Sequence, residues 1–202
     1  MTEYIGSGLL LGLIAGISPG PIFALVVTET LKHGKKEGIK LACVPLITDI
    51  PIVLVSLFLV SRLSQYNTPL GILTFLGALF LLYLAYENLT YSTKNEIKAV
   101  QFNSFSKGII ANFFSPHPYM FWIFIGSPII IKSSEINSLA PVLFVFMFYL
   151  MLVGSKVLIA LLTHRLKNVL HSKVFIYIIR FLGLILVVFS VVLIIDAVNY
   201  IF

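Results

Sequence analysis

The sequence predicts an all-α polytopic membrane protein, with six transmembrane helices forming two inverted three-helix repeats and both termini outside. Three observations predict it. Hydrophobic residues fill 59% of the 202 positions and charged residues only 11%, with a mean hydropathy of +1.04. Soluble domains average about 25% charged residues, so this chain has too few to cover a water-facing surface. Apolar runs of about twenty residues, long enough to cross a hydrocarbon core, recur along the whole chain. Two short proline motifs, "SPGP" at 18–21 and "SPHP" at 115–118, interrupt the first and fourth of these runs.

The runs fall at 6–31, 38–61, 69–91, 107–131, 138–163 and 174–200. Met1-Thr2-Glu3 carries no positive leader, so the first run is expected to be a retained helix rather than a cleaved signal. The connections are short and polar: "KHGKKEG", "SRLSQYNTP", "STKNEIKAVQFNSFSK", "KSSEIN" and "HRLKNVLHSK". The longest divides the chain into halves, 1–91 and 107–202, joined by a cytoplasmic linker at 92–106. Together the halves are expected to make one transport domain.

Lys32, Lys35, Lys36, Lys40, Lys94, Lys98, Lys107, Arg165, Lys167 and Lys173 follow the odd-numbered runs, whereas only Arg62 and Lys132 follow the even-numbered ones. Positive residues are held in the cytoplasm during insertion, which puts both termini outside. The net charge of +6 then suits a rim beside anionic lipid, and no basic–aromatic constellation points to nucleic acid. A single cysteine, Cys43, excludes a disulfide and a Cys-x-x-Cys redox pair within the chain.

Proline removes a backbone donor and clashes with the preceding helical turn, so a Pro-x-Pro inside a span needs a reason. The two proline motifs lie 97 residues apart, and "FLG" recurs at 75–77 and 181–183 with an offset of 106. Spans one to three therefore correspond to spans four to six, with a small insertion in the second half. An odd number of spans per half turns the second copy upside down. Inverted repeats with broken helices at matching positions mark transporter sites, because unwound backbone at membrane depth is tolerated only where protein or a wet cavity surrounds it. The plainer reading, two independent proline kinks, does not account for their equivalence.

The segment "GLIAGISPGPIFALVVTETLKHGKKEGIKLACVPLITDIPIVL" resembles the opening of the lysine exporter (LysE/RhtB) family: Pro19-Gly20-Pro21 in the first helix, then a basic turn with Gly34 and Gly38, then Asp49. "KGIIANFFSPHPYMFWIFIG" resembles the family's second signature, with Ser115 standing where an asparagine is usual before Pro116. Ile22 and Phe23 replace the polar residue that often follows the first motif. The resemblance covers essentially the whole chain. It implies export of amino acids or similar small solutes, driven by the proton gradient or the membrane potential.

The candidate translocation residues are Ser18, Pro19, Gly20, Pro21, Asp49, Asn112, Ser115, Pro116, His117, Pro118 and Lys156. Asp49 lies ~11 residues into the second span, near mid-membrane by helical rise, between Pro45 and Pro51, which are expected to deform the helix. Carboxylates at that depth face a cavity or a partner, so Asp49 is the candidate for coupling to protons or binding an ammonium. Lys156 lies ~8 residues from the end of the fifth span, at similar depth, where it either meets Asp49 or snorkels to the interface. His117 is positioned to titrate near neutral pH or to hydrogen-bond in a packed turn. Asn112 and Ser115 suit a cavity wall or the satisfaction of backbone groups freed by Pro116 and Pro118. Glu29 and Glu87 fall in last turns beside basic residues, and Tyr83, Tyr119 and Trp122 suit either the route or an interfacial belt.

The leading expectation is an exporter in the cytoplasmic membrane working by alternating access, its half-helix N-termini facing the substrate carboxylate. A cation or metal-ion exporter is the alternative within transport, although one Cys and four His offer few soft ligands. From another class, a membrane-embedded enzyme would need a second cysteine as a thiol–disulfide carrier, or a Ser–His or two-Asp constellation inside the bilayer as a hydrolase. No cofactor is expected, and the partners are the lipid bilayer and a small molecule. Gly12 and Gly16 form a G-x-x-x-G that suits packing within the bundle or between subunits, which leaves a homo-oligomer open.

Overall fold

The computed structural model describes residues 2–63, 67–90, 104–165 and 173–201. They form α1 (Thr2–Ile17), α2 (Pro21–His33), α3 (Lys35–Ala42), α4 (Pro45–Leu63), α5 (Asn67–Leu89), α6 (Ser104–Phe114), α7 (Pro116–Phe121), a π-helical turn (Trp122–Gly126), α8 (Ser127–Ser134), α9 (Leu139–Arg165) and α10 (Lys173–Ile201). Most of the expected linker, together with Lys94, Lys98 and Lys167, lies outside the described residues. Ser104–Ser106, expected in the linker, already belong to α6.

Among the described residues, Lys35–Arg62, Leu139–Arg165 and Ile176–Asn199 are long and apolar enough to cross a membrane. The pair α1–α2 makes a fourth candidate, bent by 56° at its break, and Gly71–Tyr86 is a shorter apolar helix. The fourth expected run is divided among α6, α7, the π-turn and α8.

The first break follows from proline chemistry. Gly20 takes an extended conformation (φ −160°, ψ −179°) and Pro21 starts α2, where a missing N–H costs nothing. Pro19 and Pro21 cannot donate to the Ala15 and Ile17 carbonyls, so α1 ends there. The second break is a single residue, Ser115 (φ −81°, ψ 131°), before Pro116. A few residues later Ser127 N–H bonds the Trp122 carbonyl, the long register of a π-turn. Pro128 cannot serve the Phe124 carbonyl in the α register, and Gly126 leaves room for the Trp122 ring.

The two prolines around Asp49 act differently from each other. A turn at Cys43–Val44 separates α3 from α4 and Pro45 opens α4, but Pro51 sits inside a continuous helix.

Glycines set how closely the helices approach. A Cβ at Gly8 would lie 2.7 Å from the Phe144 carbonyl oxygen; one at Gly12 would overlap the Phe148 carbonyl, and one at Gly16 the Ser155 hydroxyl. This stripe fits α1 against α9, so the G-x-x-x-G packs within the chain. The two FLG glycines work alike: a Cβ at Gly77 would lie 2.6 Å from the Phe124 carbonyl oxygen, and one at Gly183 would lie 3.1 Å from that of Ala85. The second places α10 along α5. One apolar core, including Leu11, Ile14, Trp122, Phe144 and Phe148, surrounds the first break from one end. A second, including Ile22, Val26, Leu41, Val44 and Ala160, fills the other.

Replacing Gly12 by Leu is expected to destabilise the detergent-purified protein by about 1–3 kcal/mol or more, because backbone blocks the new side chain. Gly6→Leu, at a position whose Cβ would meet nothing within 4 Å, leaves the unfolding midpoint unchanged.

Candidate functional site

The ends left by the two breaks determine what the side chains near them do. Helix α1 terminates with carbonyls that have lost their helical donors, and an orphaned carbonyl out of reach of water is costly. Ser18 N–H still serves the Ile14 carbonyl at 2.8 Å. The next two are served from across the bundle: Lys156 Nζ of α9 donates to the carbonyl oxygens of Ala15 and Gly16, both at 3.1 Å. A buried ammonium at the C-terminal end of a helix also meets the negative end of its dipole.

The second break meets the opposite charge. Asn112, in the last turn of α6, donates from Nδ2 to Asp49 Oδ1 at 2.7 Å and to Thr48 Oγ1 at 2.6 Å. Tyr149 of α9 donates its hydroxyl to Asp49 Oδ2 at 3.3 Å. Asp49 is 5% exposed, so these contacts are its main substitute for water.

Asp49 and Lys156 do not touch; each is engaged by other partners. They face one cavity of about 140 Å³. Ser18, Pro19, Gly20 and Pro21 line it from the first break, and Ser115, His117 and Pro118 line it from the second, with Asn112 beside Asp49. Ser115 Oγ lies 3.3 Å from His117 Nδ1, and the His117 ring stacks on Tyr83 at 6.2 Å between centroids. Asn88 of α5 donates to Ser18 Oγ at 3.0 Å, tying α5 to the first break. Of the expected aromatics Trp122 is in the wall, while Tyr83 and Tyr119 are outside it. The side chain of Pro116 is not among those described; its backbone opens α7. Among the described residues no group of three or more His, Cys, Asp or Glu comes together.

Reading the residues alone missed Tyr149, Thr48 and Asn88. Tyr149 had a usable signal, since it lies two helical turns before Lys156 and so on the same face.

The chain matches the LysE type translocator family over residues 13–197. It belongs to that family. No curated protein and no solved structure matches it. Membership makes the chain an integral membrane protein of a transporter family that moves small solutes outward, and it covers both breaks and all the residues just described.

A further cluster lies beyond the cavity, at the far end of α2. Glu29 is 1% exposed and accepts hydrogen bonds from Lys107 Nζ at 2.7 Å and Ser104 Oγ at 2.6 Å, both on α6; His33 Nδ1 lies 2.9 Å away. The contact joins α2 to α6, one arm of each broken helix. The side chain of Glu87, paired with Glu29 in the sequence reading, lies outside the described residues.

Removing Lys107 alone (Lys107→Met) leaves a buried carboxylate poorly compensated and is expected to cost on the order of 3 kcal/mol. The double variant Glu29→Leu/Lys107→Met is expected to be more stable than that single variant. Urea unfolding in detergent compares them, and strict additivity would show that the two groups do not interact.

Proposed function

We propose that the chain is a secondary transporter that exports amino acids across the cytoplasmic membrane by alternating access, as six spans in two inverted halves with both termini outside. The observation that carries this is the exchange of charges between the halves. Lys156, from the second half, closes the broken helix of the first; Asp49, from the first half, holds the last turn before the break of the second. Both charges and both breaks face one cavity. Such an arrangement suits a zwitterion, whose ammonium is attracted to Asp49 and whose carboxylate is attracted to Lys156.

The proposed mechanism follows from competition for these groups. A bound carboxylate competes with the Ala15 and Gly16 carbonyls for the Lys156 ammonium, and a bound ammonium competes with Asn112 and Tyr149 for Asp49. The N-terminus of α2, whose Gly20 cap provides no side-chain hydrogen bond, adds a positive dipole end beside the carboxylate. Loosening these contacts frees the halves to tilt about the breaks, which function as hinges. On the side toward which the basic loops point, the Glu29–Lys107 contact joins the arms and has to open for a solute to enter. Asp49 is the group through which the proton gradient or the membrane potential is coupled.

Efflux of preloaded amino acids from proteoliposomes under an imposed pH gradient tests the reading. Wild-type protein is expected to release amino acid faster when the gradient is present. Asp49→Asn keeps the shape and most hydrogen bonds, and is expected to lower that rate by about tenfold or more while the protein stays folded. A variant as fast as wild type, and as responsive to the gradient, would remove Asp49 from the coupling role.

A further inference from the structure

The polar inventory of the cavity is short. Among the described residues in its wall, Asp49 is the one carboxylate and Lys156 the one lysine or arginine. An ammonium has three N–H donors, and Lys156 commits two of them to the Ala15 and Gly16 carbonyls. One donor remains for a ligand. Asp49 receives Asn112 on one oxygen and Tyr149 on the other, and a carboxylate has about four acceptor sites, so it retains capacity for one ammonium. His117, the remaining titratable group in the wall, supplies no negative charge in either protonation state.

Most of the remaining wall is hydrocarbon or aromatic. Leu11, Ile14, Phe80, Leu81, Phe148 and Leu152 are all less than a tenth exposed and face the cavity. Its volume of about 140 Å³ is close to that of apolar protein cavities that take up benzene, roughly 150 Å³.

Resting on the reading of the chain as an amino-acid exporter, we propose that its solutes are zwitterionic amino acids with uncharged hydrocarbon or thioether side chains, such as leucine and methionine, and that lysine and arginine are excluded. One acid and one base match the two charges of an amino-acid head group. A third charge, on the side chain of lysine or arginine, meets no partner there and would be desolvated against Phe80, Leu81 and Phe148, which is strongly unfavourable. An apolar side chain gains from the same surface. The amino-terminal signature, which resembles that of lysine exporters, therefore marks the architecture and not the preferred solute.

The test uses full-length protein in vesicles preloaded with equal concentrations of leucine, methionine, lysine and arginine. Leucine and methionine are expected to leave about tenfold or more faster than lysine and arginine. Leu84→Asp places a second acid in the wall at a partly buried position and is expected to raise lysine efflux relative to leucine. If that variant does not fold, wild-type thermal unfolding gives the second readout: leucine raises the midpoint and lysine does not. Lysine or arginine leaving as fast as leucine, or shifting the midpoint as far, overturns the assignment of solute class and leaves amino-acid export standing. No efflux of any amino acid from folded protein overturns both.

Discussion

The ammonium of Lys156 on the carbonyls of Ala15 and Gly16 is the contact on which the first break depends. A helix that stops inside hydrocarbon leaves peptide groups with no water to turn to, and each one is costly. Pro19 and Pro21 make the stop unavoidable; Lys156 makes it tolerable. The stripe of Gly8, Gly12 and Gly16 is part of the same arrangement, because only a close approach of α9 to α1 brings the Lys156 side chain to the end of α1. Proline, glycine and lysine, on two helices far apart in sequence, are thus parts of one device.

At the second break the neighbouring charge has the opposite sign. Asp49 cannot donate to carbonyls, so it is joined to α6 through Asn112, whose side-chain amide donates to it. Ser115 N–H closes back on the Asn112 carbonyl at 3.3 Å, which leaves that break tighter than the first. The two ends are therefore unlike in detail: a bend of three residues beside a cation, and a one-residue interruption beside an anion. Two breaks beside opposite charges suit the proposed solute, which has two different ends.

Much of this was legible in the sequence because it rests on one-dimensional signals. Run length placed the helices to within a few residues, since apolar content along the axis is what a bilayer selects. The prolines located both breaks, because loss of an N–H is a property of the residue itself. Partners were harder. Depth along an axis can be counted from sequence, but the direction in which a side chain points around that axis cannot. Asp49 and Lys156 were placed at similar depth, yet Lys156 turns to the backbone of α1 and Asp49 to α6 and Tyr149. Tyr149 was hidden in the aromatic run "FVFMFYLML", where one hydroxyl hardly changes the pattern. Pro45 and Pro51 were expected to deform the helix around Asp49; Pro45 opens α4 after a turn at Cys43–Val44, and Pro51 lies inside α4. The π-turn after Trp122 depends on Gly126 and Pro128 together with local packing, a combination without a distinctive signature.

The central claim is that the two interrupted helices open onto one water-accessible solute site. Cysteine scanning at the breaks measures it most directly: Ser18→Cys and Ser115→Cys, each in a Cys43→Ser background, probed with a membrane-impermeant thiol reagent in vesicles that are actively transporting. Both cysteines are predicted to react, and a transported amino acid is predicted to slow both reactions together. If both positions stay unreactive in transporting vesicles, or if solute protects one without affecting the other, the breaks do not share a site and the account is contradicted.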